Sequence, residues 1–205
     1  VADTTDFIAY FSILPDPRVD RTKKHRLIDI LFIAVCTIIC GGETFTDMEM
    51  FGEAKKEWLS TLLELPHGIP SHDTFGRVFS LLDPQAFGEC FLRWSAALHE
   101  ATKAEVIALD GKTLRYSFDT ATGQAALHLV SAWGIENSLH WVLDVIMNED
   151  QNRIRKDHAP ENMALMRRLA LNLIKKARPA KKSVRGSIKS ASWDNSFLKA
   201  ILVAG

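Results

Sequence analysis

Apolar residues recur every three to four positions through the first hundred residues, and that period predicts a run of amphipathic helices. Phe7, Ile8, Phe11 and Leu14 share one face of a short helix over 4–14. Leu14-Pro-Asp-Pro-Arg18 ends it, because two prolines in three residues cannot continue a helix. Residues 25–40 predict a buried helix closed by Gly41-Gly42. Its apolar run, Ile30 to Cys40, is too short to span a bilayer. A third helix is expected over 46–63, with Met50, Trp58 and Leu62 among its apolar positions. Leu65 to Pro70 reads as a connector, and Ser71 and Asp73 each suit the N-cap of a helix through Leu82. Asp83-Pro84 then opens a helix to about His99, with proline in its first turn.

The period changes at Glu105. Val106 to Leu109 and Ala125 to Trp133 read as two strands, and residues 120–124 between them have turn composition. From Gly134 the helical period returns, with Ile135, Leu139, Val142 and Ile146 on one face. Asn148 to His158 is a charged linker. Pro160 opens a long helix to about Ala177, striped by Met163, Met166, Leu169, Ala170, Leu173 and Ile174. Arg178 to Ser190 is basic and expected to be mobile, before a short helix over 193–203. The fold class expected is mainly α with a small β element. Three parts are expected: an all-helical unit over 1–100, a short α/β unit over 104–178, and a basic C-terminal tail with a short helix over 179–205.

At 205 residues the chain suits one large or two small domains, and no low-complexity block suggests disorder. No secretory signal is visible, and because the first residue is Val a start upstream is expected. Three cysteines, Cys36, Cys40 and Cys90, make no disulfide framework and fit a reducing, cytoplasmic setting. Cys36 and Cys40 lie one helical turn apart, but a zinc site there lacks two further ligands, so packing is the favoured reading. The zero net charge conceals an asymmetry. Residues 1–150 hold 12 Lys and Arg against 22 Asp and Glu, whereas residues 151–205 hold 13 against 3. A basic C-terminal quarter is an electrostatic footprint for nucleic acid, although mutual attraction of the two halves or a solvated basic helix would give the same pattern. The candidate DNA contacts are Arg18, Arg21, Lys23, Lys24, Lys175, Lys176, Lys181, Lys182 and Arg185, with a solvated basic surface as the alternative. A helix-turn-helix over 71–99 has a suitably short connector. Arg93 is the only Lys or Arg between Pro84 and His99, however, which argues against a recognition helix.

Two carboxylates stand where metal chemistry could be built. Asp110 ends an apolar strand and precedes Gly111. Glu136, His140 and Asp144, at i, i+4 and i+8, form a polar stripe beside the apolar face of one helix. Phosphodiester cleavage uses two metals held by several carboxylates, and Mg²⁺ suits such sites. On spacing alone, an Asp that turns the chain and a solvent-facing stripe are the commoner explanations. No His-Glu-x-x-His, phosphate-binding glycine loop or Gly-x-Ser-x-Gly elbow is present.

Longer motifs shift that balance. Leu14-Pro-Asp-Pro-Arg18, Phe51-Gly, Trp58-Leu and, above all, Gly68-Ile-Pro-Ser-His-Asp-Thr-Phe75 with Asp83-Pro84 resemble the helical domain that precedes the core of H-repeat-associated insertion-sequence DDE transposases. Asp110-Gly-Lys-Thr-Leu-Arg115 is similar to that family's first catalytic Asp and its flank. Trp133-Gly-Ile-Glu-Asn-Ser-Leu-His-Trp141 and Asp157-His-Ala-Pro-Glu-Asn162 resemble the segment around its catalytic Glu. The resemblance implies a ribonuclease-H-like catalytic domain, Mg²⁺ as cofactor, DNA cleavage and strand transfer, and Asp110 and Glu136 as catalytic, metal-binding residues.

The chain departs from that pattern in the middle. Only 25 residues separate Asp110 from Glu136, and no segment between 117 and 133 supplies the strands or the second catalytic Asp of such a core. Ser131-Ala-Trp133 looks like the family's second-strand sequence, so Trp133 serves two motifs at once, as a deletion between short matching sequences would leave it. An inactive transposase is expected. Asp119, His128 or Asp144 are the residues that could replace the missing ligand. Three readings stay open: a disabled enzyme remnant; a DNA-binding module that acts on intact transposase copies or a second copy of itself; and a decayed protein without present function.

Overall fold

The computed structural model describes residues 5–102, 142–177 and 182–203. Among the described residues every regular element is helical and none is a strand. The strands expected at 106–109 and 125–133, and the helix start at 134–141, lie outside them. The helices are α1 (Thr5–Phe11), α2 (Leu27–Ile39), α3 (Phe45–Ala54), α4 (Lys56–Leu59), α5 (His72–Leu81), α6 (Pro84–Thr102), α7 (Ala159–Ala177), α8 (Val184–Trp193) and α9 (Asn195–Val203).

The sequence of α2 is apolar on every side, and all 13 of its residues are buried, as expected of a helix enclosed by neighbours rather than laid on a surface. It ends where Gly41 takes φ 89°. The amides of Gly41 and Gly42 then donate to Ile38 O at 3.0 Å and Thr37 O at 2.9 Å, which satisfies the last carbonyls in a Schellman closure. Helix α1 meets α2 through Phe7–Phe32, 5.9 Å between ring centroids, and meets α6 through Phe11–Phe87 at 5.8 Å, with Phe7 stacked on Phe11 at 4.6 Å within α1. A long neighbour of α2 is α7, which also touches α5, α6, α8 and α9. One apolar core therefore runs from Phe7 in α1 to Leu202 in α9.

Three local expectations need correction. The single helix over 46–63 is two helices, because Lys55 leaves helical geometry at φ −109° and ψ 13° and its ammonium reaches Asn195 Oδ1 at 2.7 Å. The stretch expected to be basic and mobile contains α8, which Ser183 caps at Gly186 N and which buries Val184, Ser187, Ile188 and Ala191. The described part of the helix after Gly134, Val142–Ile146, is a π-helical turn, with Met147 N donating to Val142 O at 3.1 Å.

Helix starts are fixed by carboxylates. At α3, Thr44 accepts from Asp47 N at 3.1 Å and Asp47 Oδ2 accepts from Thr44 N at 2.8 Å, a reciprocal capping box. At α5, Ser71 occupies the N-cap but its side chain makes no cap bond. Glu49 of α3 supplies the acceptor, with Oε2 taking the His72 amide at 2.9 Å and the His72 ring as well. That contact ties α3 to α5 and puts a negative charge at the positive end of α5. At the far end of α5, Asn162 Nδ2 of α7 donates to Phe79 O at 2.9 Å and Leu82 O at 2.8 Å.

Candidate nucleic-acid interface

Four of the basic residues singled out by sequence lie near the two ends of α2. Arg21 and Lys24 are exposed just before its N-terminus, and Lys23 pairs with Asp20 at 2.9 Å. Arg185 is exposed on α8, one turn from Ile188, whose Cγ2 lies against Gly41 at the C-terminus of α2. Thirteen residues of helix separate the two ends, about 20 Å at 1.5 Å per residue. Lys175 and Lys176 occupy the last turn of α7 and are half-buried, and the Lys182 ammonium sits 4.3 Å from the centroid of the Phe197 ring. Lys181 lies outside the described residues.

Arg18 does not belong to a surface group. Its side chain is 2% exposed. Nε and one terminal nitrogen grip Asp16 at 2.9 and 2.7 Å, and that same nitrogen donates to His25 O at 2.7 Å. The guanidinium closes the loop that leads into α2 and presents no open face to a phosphate. Burial pushes the Asp16 carboxyl up, but the Arg18 bonds and charge outweigh it and hold Asp16 below its ordinary range.

A second basic site was not among the sequence candidates. A cleft of about 810 Å³ opens between the start of α3, one face of α5, the strap over 148–156 and α7. Arg77, Arg153, Lys156 and Arg167 line it, against the carboxylates of Glu43 and Asp73. The first three cations are exposed, whereas Arg167 is 3% exposed. Burial draws Arg167 below the ordinary arginine pKa, with Glu149 and Glu43 acting the other way. Its neighbour Arg168 is committed to Glu149 at 3.3 Å, and Glu43 accepts from Asn148 Nδ2 at 3.0 Å. The sequence did carry a signal for this site. Arg167 stands four residues after Met163 and three before Ala170, inside the apolar stripe of α7 where a charge has no ordinary place.

The catalytic and metal-binding candidates Asp110 and Glu136 lie outside the described residues, as do Asp119 and His128. Asp144 is half-buried in the π turn. Among the described residues no group of three or more His, Cys, Asp or Glu side chains is arranged to hold a metal ion. Burial raises the Cys36 thiol well above its usual pKa and pushes Cys40 up to about 12, so both are held as thiols rather than as the thiolates that ligate metals. No described helix is long and apolar enough to cross a membrane.

Comparison with known proteins places this architecture. Residues 8–95 match the family described as DDE_Tnp_1-associated. The chain is 41% identical over 130 residues to the "H repeat-associated putative transposase YhhI" of Escherichia coli (strain K12), covering 63% of this chain and 34% of that protein. It is 46% identical over 134 residues to an uncharacterized protein in the dhlA 3′ region of Xanthobacter autotrophicus, covering 63% of this chain and 44% of that protein. Over 71 residues it is 41% identical to the inactive transposase YbfQ of Escherichia coli (strain K12), covering 35% of this chain and 84% of that protein. Against YhhI and the Xanthobacter protein, the matched stretch is only about a third to under half of the relative's length. No solved structure matches significantly. By the relatives it matches and the helical unit it shares with them, the chain belongs to the H-repeat-associated transposase family.

Proposed function

We propose that this chain is a DNA-binding descendant of an insertion-sequence transposase whose strand-cleavage centre is incomplete. The observation that carries this reading is the 25-residue interval between Asp110 and Glu136. Three carboxylates on a several-stranded sheet hold the metals of a ribonuclease-H-like core, and the interval is too short for the missing strands and their Asp. Asp110 and Glu136 are the residues that would hold Mg²⁺, and two carboxylates alone do not fix the paired-metal geometry that phosphodiester cleavage needs. The alignments support the same reading, since they cover 63% of the chain although family-like motifs continue to Asn162. A relative named as an inactive transposase shows that the family contains disabled members.

Double-stranded DNA is the partner this reading requires, in the cytoplasm, and a second copy or an intact transposase copy is the further partner it allows. Arg21, Lys23 and Lys24 form one contact group; Lys175, Lys176, Lys181, Lys182 and Arg185 form the other. Lys and Arg side chains bind DNA by displacing condensed counterions, so affinity falls as salt rises, with a slope near 0.9 per phosphate neutralised. The three-part division over 1–100, 104–178 and 179–205 describes ancestry; in packing, the described residues share one core.

The test is binding of a fluorescent duplex across a salt series, with and without Mg²⁺, followed by a gel for cleaved strands. Salt-sensitive binding without cleavage is the expected result. Mg²⁺-dependent cleavage that Asp110→Ala abolishes would overturn the inactive-core reading. No binding at low salt would leave a decayed protein without this function.

A further inference from the structure

We infer that the cleft between α3, α5 and α7 is a phosphate-group site, with Arg167 at its base and Arg77, Arg153 and Lys156 at its mouth. Four Lys and Arg side chains line the cleft against two carboxylates, and both carboxylates are already engaged: Glu43 accepts from Asn148 and Asp73 lies 3.6 Å from His72 Nε2. Arg167 is the decisive group. It is only 3% exposed and yet lines the cleft, with burial drawing it below the ordinary arginine pKa. Of the two carboxylates that act on it, Glu149 is bonded to Arg168 and Glu43 to Asn148.

A guanidinium held in the water-poor wall of a cleft is costly to keep charged, and an anion in the cleft would offset that cost. Its planar fork matches the oxygens of a phosphate, and the water-poor base of a cleft strengthens that bond relative to the surface. The three exposed cations would hold a diffuse negative charge entering from solvent. A backbone phosphate of DNA and free inorganic phosphate share this chemistry. The backbone phosphate follows if the DNA-binding reading above holds; the cleft itself does not depend on it.

Two measurements on the full chain separate these sources. Thermal unfolding in sodium phosphate, compared with sodium chloride at equal ionic strength, reads free phosphate. Duplex binding at fixed salt reads the backbone. In the wild type, phosphate is expected to raise Tm in a saturable way. In Arg167→Met, which fills the same space without charge, the response is expected to vanish while Tm without phosphate stays equal or rises. A loss of about tenfold in duplex affinity in that variant, the size of one charge-assisted bond, assigns the site to the DNA backbone. Unchanged duplex affinity with a lost phosphate response assigns it to free phosphate, and the site stands. A phosphate response that persists in Arg167→Met, or none in the wild type at tens of millimolar, overturns the proposal. If Arg167→Met does not fold, the double variant Arg77→Gln, Lys156→Gln carries the test from exposed positions, where an undiminished phosphate response overturns it too. A wild type that responds to phosphate but binds no duplex sinks the DNA reading alone.

Discussion

Asp29 shows how a single ionisable group can work against the fold that holds it. It sits in the first turn of α2, where a helix dipole welcomes negative charge, yet it is 2% exposed. Burial pushes its carboxyl up, Arg26 opposes that, and Glu64 adds to it, with a raised pKa as the outcome. A carboxyl whose pKa is raised by folding favours the folded state below its unfolded value, about 3.9, and loses that contribution as pH rises through the raised value. Ionised Asp29 is therefore a net cost at neutral pH. Asp29→Asn is expected to raise Tm at pH 7, with the gap closing as pH falls toward 4; a variant less stable than wild type at pH 7 would mean the Arg26 attraction dominates. Gly52 makes the opposite kind of demand, for space. A Cβ there would lie 2.4 Å from Ile69 Cγ2, on a β-branched side chain that cannot swing away freely. Alanine would gain up to about 1 kcal/mol in helix propensity but overlap costs about 1–3 kcal/mol, so Gly52→Ala is expected to lower stability in urea titrations. Replacing Ile69 by Ala in the same chain is expected to restore part of the loss, as a double-mutant cycle would read.

At the scale of elements, what could be read in advance was whatever local chemistry decides. The ends of α2 and α6 followed from Gly41-Gly42 and Asp83-Pro84, because a left-handed closure and a first-turn proline are properties of the residues themselves. The start of α5 was legible in Ser71, but its capping acceptor was not, because Glu49 comes from α3, 23 residues away. The break at Lys55 was equally hidden, since its partner Asn195 lies 140 residues on. Helix α8 is a different kind of miss. Val184, Ser187, Ile188 and Ala191 carry a helical period that the surrounding basic residues obscured. Arg167 was overlooked in the same way, as a charge inside an apolar stripe. The Glu49–His72 link makes the joint between α3 and α5 sensitive to pH. Bonds from the His72 amide and ring lower the Glu49 pKa, and the Glu49 bond raises that of His72. Glu49 thus contributes above its unfolded value, about 4.3, and loses this as pH falls through its lowered pKa. His72 contributes fully below about 6.5 and loses this as pH rises through its raised one. An NMR titration should place the His72 midpoint above the ordinary histidine value in the wild type, and nearer to it in Glu49→Gln; equal midpoints would remove the pair from the α3–α5 joint.

The whole molecule raises the question of how far its N-terminal and C-terminal helices depend on one another. Helix α7 lies far along the chain from α2, yet it buries Met163, Met166, Leu169 and Leu173 in the core that also encloses α2. Through Asn162 it also closes the carbonyl end of α5. A tail that merely trailed from a helical domain would leave α2 with a face to water, and α2 has none to spare, since all 13 of its residues are buried. The described N- and C-terminal helices are therefore expected to unfold as one cooperative unit. Leu169→Ala, at a fully buried position of α7, is expected to cost about 2–5 kcal/mol. The loss should appear equally in the hydrogen-exchange protection of α2 and of α7, because both open only when the shared core opens. If α7 lost protection while α2 kept its own, the two would be separate bodies, and the N-terminal helices would have to bury α2 by some other means. If both fall together, the helices beyond residue 159 complete the fold of the helical unit.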